Sequence, residues 1–156
     1  MPKEHAYAIE LLWTGNRGDG TDSYRRYGRE HEVSADGPQL IEGTADPAFR
    51  GERDRWNPEQ LLVAALAQCH MLSYLALCSQ AGVVVTAYED SASGTMRMDG
   101  RGGGAFTDVL LRPRVPVTEE GMLEKAAELH AEAHRICFIA NSVNFPVRHE
   151  PTVELD

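Results

Sequence analysis

Residues 58 to 81 constrain this chain more than any other stretch. Asn57-Pro58-Glu59-Gln60 reads as a helix start: Asn57 can cap, Pro58 suits the first helical position, and Gln60 stands where a capping box needs it. Gly82 is the matching stop. Between them, small and apolar side chains spread nearly all round, so a buried central helix is expected rather than a surface one. The apolar run from Leu61 to Leu77 is broken by Gln68, His70 and Ser73 and is expected to be too short and too polar to span a bilayer. A chain of 156 residues suits one domain, residues 1–156, around one core.

The flanks of the helix read mostly as strands. Residues 6–13 form one, followed by the turn Gly15-Asn16-Arg17-Gly18-Asp19-Gly20. Residues 23–34 read as an exposed strand ending at Asp36-Gly37-Pro38, and residues 39–43 as a third strand of an antiparallel meander. Residues 46–55 are a charged loop. Beyond the helix, residues 83–98 are β-rich and residues 100–104 are a hairpin turn. The turn's glycines imitate a phosphate loop but lead into a strand instead of a helix. Residues 105–117 return, with Val109, Leu111 and Val115 on one face. Thr118 is expected to cap a second helix, amphipathic through Met122, Ala126, Leu129, Ala133, Ile136 and Ala140. Residues 147–155 form a last strand. The order β-β-β-α-β-β-α-β predicts an α+β fold, with antiparallel sheets, a long buried central helix and a second helix.

Charge and termini narrow the function. A formal net charge of −9 disfavours nucleic acid and anionic membranes as partners. The first residues, Met1-Pro2-Lys3-Glu4-His5, lack the apolar core of a signal peptide. A cytoplasmic protein is expected, and there the three cysteines stay reduced: core thiols, metal ligands or reactive thiols.

Taken singly, Cys69 has the bland reading of a small buried thiol, and His70 that of a partly exposed polar residue. Cys78 lies nine residues on, on the opposite helix face and ~13 Å along the axis, so it cannot bond to Cys69 and belongs to the core. Cys137 follows Ile136 on the apolar side of the second helix. Both Cys69 and Cys137 can face the core, and spacing alone does not show that they meet. His130, His134 and Cys137 fall at i, i+4 and i+7 and can instead supply three metal ligands, although histidines so spaced are also common on a solvated face.

The segment Asn57-Pro58-Glu59-Gln60-Leu61-Leu62, with Ala64-Ala65 and Cys69, resembles the signature of the OsmC/Ohr family of hydroperoxide-reducing proteins. The turn around Arg17-Gly18-Asp19-Gly20 and the segment His134-Arg135-Ile136-Cys137 extend the likeness over most of the chain, although Phe138 follows Cys137 where the family often has proline. The resemblance implies a thiol peroxidase in which Cys69 attacks the peroxide and Cys137 resolves the oxidised sulfur. It implies that Arg17 activates Cys69 and that Glu59 orients Arg17. It also implies a hydroperoxide substrate and an external dithiol reductant, a lipoylated protein in the Ohr branch, with no bound cofactor or metal. Glu59 and Cys69 stand ~15 Å apart along one helix that is apolar nearly all round, so a homodimer with shared sites is expected. Two other classes remain: a non-catalytic binding or stress protein on the same fold, and a metal-binding protein using His130, His134 and Cys137.

Overall fold

The computed structural model describes residues 2–156. The chain divides into two compact units, with the boundary between Leu61 and Leu62.

In the first unit, β1 (Glu10–Trp13), β2 (His31–Ser34) and β3 (Ile41–Gly43) form an antiparallel sheet in that order. The meander is the expected one, but its second strand is far shorter. Residues 23–30 do not extend, because the Arg29 side chain competes for their backbone. Its guanidinium donates to the carbonyls of Tyr24 and Tyr27 and lies 3.8 Å from the Tyr27 ring centroid. Gly15 and Gly28 allow the chain to close up beyond the ladder: Gly28 N donates to Gly15 O at 2.8 Å, and a Cβ on Gly15 would sit 2.0 Å from Gly28 O.

The helix α1 (Pro58–Gln80) begins as expected. Gln60 N donates to Asn57 Oδ1 at 2.9 Å and Asn57 N to Gln60 Oε1 at 3.1 Å, a closed capping box. At 23 residues and a hydropathy of 1.8, α1 is long and apolar enough to cross a membrane by length and composition, contrary to expectation. Its length exceeds the apolar run because the capped first turn and the last turn extend it on both sides.

In the second unit, α1 buries one stripe, Leu66, His70, Tyr74 and Cys78, while Leu72 is 62% exposed. The burial of a single chain is thus one-sided. Two three-stranded sheets follow. One has the order β5-β6-β8, from β5 (Ser93–Met98), β6 (Gly104–Leu111) and β8 (Val147–His149). The other has the order β4-β7-β9, from β4 (Glu89–Asp90), β7 (Pro113–Val117) and β9 (Thr152–Leu155). Both long strands expected from sequence are divided between sheets. Residues 105–117 break at Arg112, whose N–H turns to Asp90 Oδ1 at 2.8 Å, and residues 147–155 break around Pro151, which has no N–H to donate. The hairpin pairings are antiparallel, whereas β6–β8 and β7–β9 are parallel because the second helix, α2 (Leu123–Ile136), carries the chain back to the far side.

The helix α2 (Leu123–Ile136) starts later than expected. A 3-10 turn at Glu120–Met122 precedes it, and the Thr118 hydroxyl meets Met122 Sδ instead of capping. Leu66 packs with Val109, Leu111 and Val147 in one core, and Tyr74 and Cys78 with Val115, Ala126 and Ala133 in a second. His70 lies between Leu66 and Tyr74 on the same stripe.

Candidate functional site

In the second unit, Cys69 stands half-buried on α1. Cys137 closes the C-terminus of α2 with ψ at 112°, so the helix stops there although the apolar spacing continues to Ala140. Its side chain is 1% exposed. Both thiols are free, and Cys69 is near enough to Cys137 to bear on its titration. Burial, followed by the Cys69 contact, pushes the Cys137 thiol up to about 11, although the Ala140 N–H donates to its sulfur at 3.4 Å. The pair therefore combines one thiol within reach of solvent and one kept protonated and shielded. Cys78 is core, as expected, and burial raises its thiol too.

The neighbouring histidines were read differently from sequence. His70 is 2% exposed rather than partly exposed, and its Nε2 lies 3.0 Å from Nδ1 of the fully buried His130. The rings are within 6° of parallel, and Tyr74 stacks on His130 at 3.8 Å. His149 on β8 and His134 complete the cluster, with centroids 5.7 Å apart. Burial, with the neighbouring histidines, pushes His70 down to about 4 and His130 down to about 3, so both are neutral imidazoles. The metal reading of His130, His134 and Cys137 fails on orientation. His130 faces His70, Cys137 faces Cys69, and among the described residues no group of three such side chains is placed to hold an ion. The signal for the cluster was present in sequence: His70 shares the i, i+4 stripe of Leu66, Tyr74 and Cys78.

Arg17 and Glu59 belong to the first unit. Arg17 pairs with Glu30, not with Glu59 as the resemblance implied. A backbone N–H and the Arg17 guanidinium, working against burial, hold the Glu30 carboxyl below its usual range. Gly28 makes room for the pair: a Cβ there would lie 1.8 Å from Glu30 Oε2 and 2.4 Å from the guanidinium. Glu30 was missed because nothing in its local sequence marks it; only the pairing of the segments before and after the turn brings it to Arg17. Glu59 stands in the first turn of α1 with Oε2 buried and unpartnered. It lines a cleft of about 300 Å³ whose walls include Trp13, Tyr27, Arg29, His31 and Phe49.

An OsmC-like protein of unknown function from Vibrio cholerae is 31% identical, covers 95% of this chain and 99% of its own, and superposes with a TM-score of 0.84. An organic hydroperoxide resistance protein from Elizabethkingia anophelis, 21% identical over 99% of this chain and 100% of its own, has the same fold at a TM-score of 0.68. One from Legionella pneumophila is 18% identical over 97% and 100%, with a TM-score of 0.67. A search of curated proteins finds no match. The family model described as OsmC-like protein matches residues 51–152, from the loop before α1 to the start of β9. The chain belongs to the OsmC-like family.

Proposed function

We propose that this protein is a thiol-dependent peroxidase that reduces organic hydroperoxides. The observation that carries the reading is a pair of free thiols, one half-buried and one buried, near enough for Cys69 to raise the Cys137 thiol. The hydroperoxide resistance proteins among the similar structures agree with it. The Cys69 thiolate attacks the distal peroxide oxygen, the O–O bond breaks, and the alkoxide takes a proton from solvent and leaves as alcohol. The Cys137 sulfur then bonds to the Cys69 sulfenic sulfur, and its proton departs with the hydroxyl as water. An external dithiol, such as a lipoylated protein, regenerates both thiols by exchange. The cysteines carry the electrons, so the cycle needs no bound cofactor. A raised Cys137 thiol suits the resolving role, since a protonated thiol reacts poorly with peroxide and leaves that attack to Cys69.

Arg17 activates Cys69 in this reading, and Glu59 orients Arg17 once Glu30 releases it. Glu59 and Cys69 are ten residues apart on α1, ~15 Å along its axis, too far for one arginine of the same chain to serve both. The reading therefore includes a cytoplasmic homodimer with two shared sites, its α1 helices antiparallel about a two-fold axis. The exposed apolar residues Leu72 on α1 and Leu11 and Leu12 on β1 supply surface for it. Nucleic acid and membrane are not partners, given the net charge of −9.

One equivalent of cumene hydroperoxide added to reduced protein should yield a Cys69–Cys137 disulfide on peptide mapping. Cys69→Ser should abolish turnover, and Cys137→Ser should leave a sulfenic acid that over-oxidises. A Cys69–Cys78 link would overturn the two-cysteine scheme. No loss of free thiols would make the protein a non-catalytic binding member of the family.

A further inference from the structure

Apolar packing resists separation of two helices but is non-directional and tolerates sliding. Between α1 and α2, two directional contacts remove that freedom. His70 Nε2 and His130 Nδ1 are 3.0 Å apart, and the Tyr74 hydroxyl donates to the Ala126 carbonyl at 2.8 Å. Among the described residues these are the two side-chain hydrogen bonds joining the helices. All three side chains are buried, and Tyr74 lies flat on His130 with 10° between the rings. The thiols ride on the same helices. Cys69 immediately precedes His70, and Cys137 follows His130 by two turns, ~10 Å along α2. A disulfide tolerates Cα separations of only about 4.4–6.8 Å, so a slide of one residue, ~1.5 Å with ~100° of rotation, would part the sulfurs. Two buried imidazoles are also a poor way to fill space, since leucines would pack there without desolvation cost. What imidazoles add is direction.

We infer that His70 and His130 are positioning residues for the resolving step: their hydrogen bond sets the register of α1 against α2 and so holds Cys69 and Cys137 in bonding reach. The inference deepens the proposed peroxidase reading and rests on its thiol pair. Neither imidazole takes part in bond making. The sulfur–sulfur bond forms and water leaves as described above, with the histidines fixing only where the sulfurs stand.

The test uses the full-length protein and two oxidants. Cumene hydroperoxide follows the peroxidase cycle. Diamide takes the two thiol hydrogens onto its nitrogens and so closes any thiol pair in reach, without peroxide chemistry. The variants are His130→Leu, the double His70→Leu/His130→Leu, and His130→Asn, whose amide reaches the Nδ1 position. Dimedone trapping should show Cys69 sulfenic acid forming within about twofold of wild type in every variant, because the first step needs no register. Disulfide formation should slow about tenfold or more in the leucine variants with both oxidants, and His130→Asn should recover to within about threefold. Wild-type closure rates in the double variant would overturn the inference, as would an asparagine variant as slow as His130→Leu. Should the leucine variants not fold, a tenfold loss in His130→Asn or in His70→Gln, which keeps a group at the Nε2 position, overturns it. A wild type that closes with diamide but not with peroxide defeats the peroxidase reading and leaves the positioning role intact. A wild type that closes with neither defeats the positioning role as well.

Discussion

Mild acid should destabilise this protein through His70 and His130. Both are neutral when folded, pushed down to about 4 and about 3 by burial and by neighbouring histidines. In the unfolded chain each returns to about 6.5. Below that value the unfolded state binds more protons, so stability rises with pH and is lost as pH falls from about 6.5 towards the folded values. At pH 5 the loss is governed by the unfolded pKa, because the folded histidines are still neutral there. One histidine then costs about 2 kcal/mol relative to pH 7, and the pair about 4 kcal/mol. With an m-value of about 2 kcal/mol/M, the urea midpoint should fall by about 2 M between pH 7 and pH 5. Urea titrations followed by circular dichroism at pH 7, 6 and 5 measure this directly. The double variant His70→Leu/His130→Leu serves as the reference, since carboxylates such as Asp90, raised by burial, act equally in both proteins. A wild-type midpoint that does not move over this range would refute the reasoning. So would an equal fall in the double variant, which would assign the effect to His149, His134 or the carboxylates.

Tyr74→Phe removes the hydroxyl bond to Ala126 and leaves the ring stack, so it should lower stability by about 1 kcal/mol, read as a fall of about 2–4 °C in Tm. Arg17→Ala should slow alkylation of Cys69 at pH 7, with Arg17→Lys restoring only part because the planar fork is lost; an unchanged alkylation profile would remove Arg17 from the site. Mixing Cys69→Ser with Glu59→Ala protein under subunit exchange should restore activity from two inactive parents, since one site of each heterodimer is intact. A monomer by light scattering at micromolar concentration, or no recovery after proven exchange, would defeat the shared site.

Much of the fold could be read from sequence because it rests on local chemistry. The capping box at Asn57 and Gln60 closes within one helical turn, so its residues carry all the information it needs. The turn before β6 is equally local: Asp99 Oδ1 accepts from Arg101 N and Gly103 N, and Gly100 and Gly102 supply the positive φ. Cys69 falls on α1 as the helix signals require, whereas Cys137 lies one residue past the end of α2, although the apolar spacing runs on to Ala140. Strand membership could not be read in this way. Residues 105–117 and 147–155 read as continuous strands because each half has the right alternation, and the breaks at Arg112 and Pro151, with different partners on either side, divide them.

The candidate site divides along the same line. Sequence by itself determined the ends of α1, the amphipathic face of α2 and the isolation of Cys78 from Cys69, all of which depend on residues near one another in the chain, and it carried the family resemblance through motifs that are each local. Tertiary structure alone decided that Cys137 is buried with Cys69 bearing on its titration, that Arg17 rests on Glu30, and that His70 is a buried partner of His130, sixty residues away. A polar side chain on an apolar helix has the same sequence signature whether water or another helix satisfies it. Which of the two does so depends on what packs against that face, and no spacing within the helix records that.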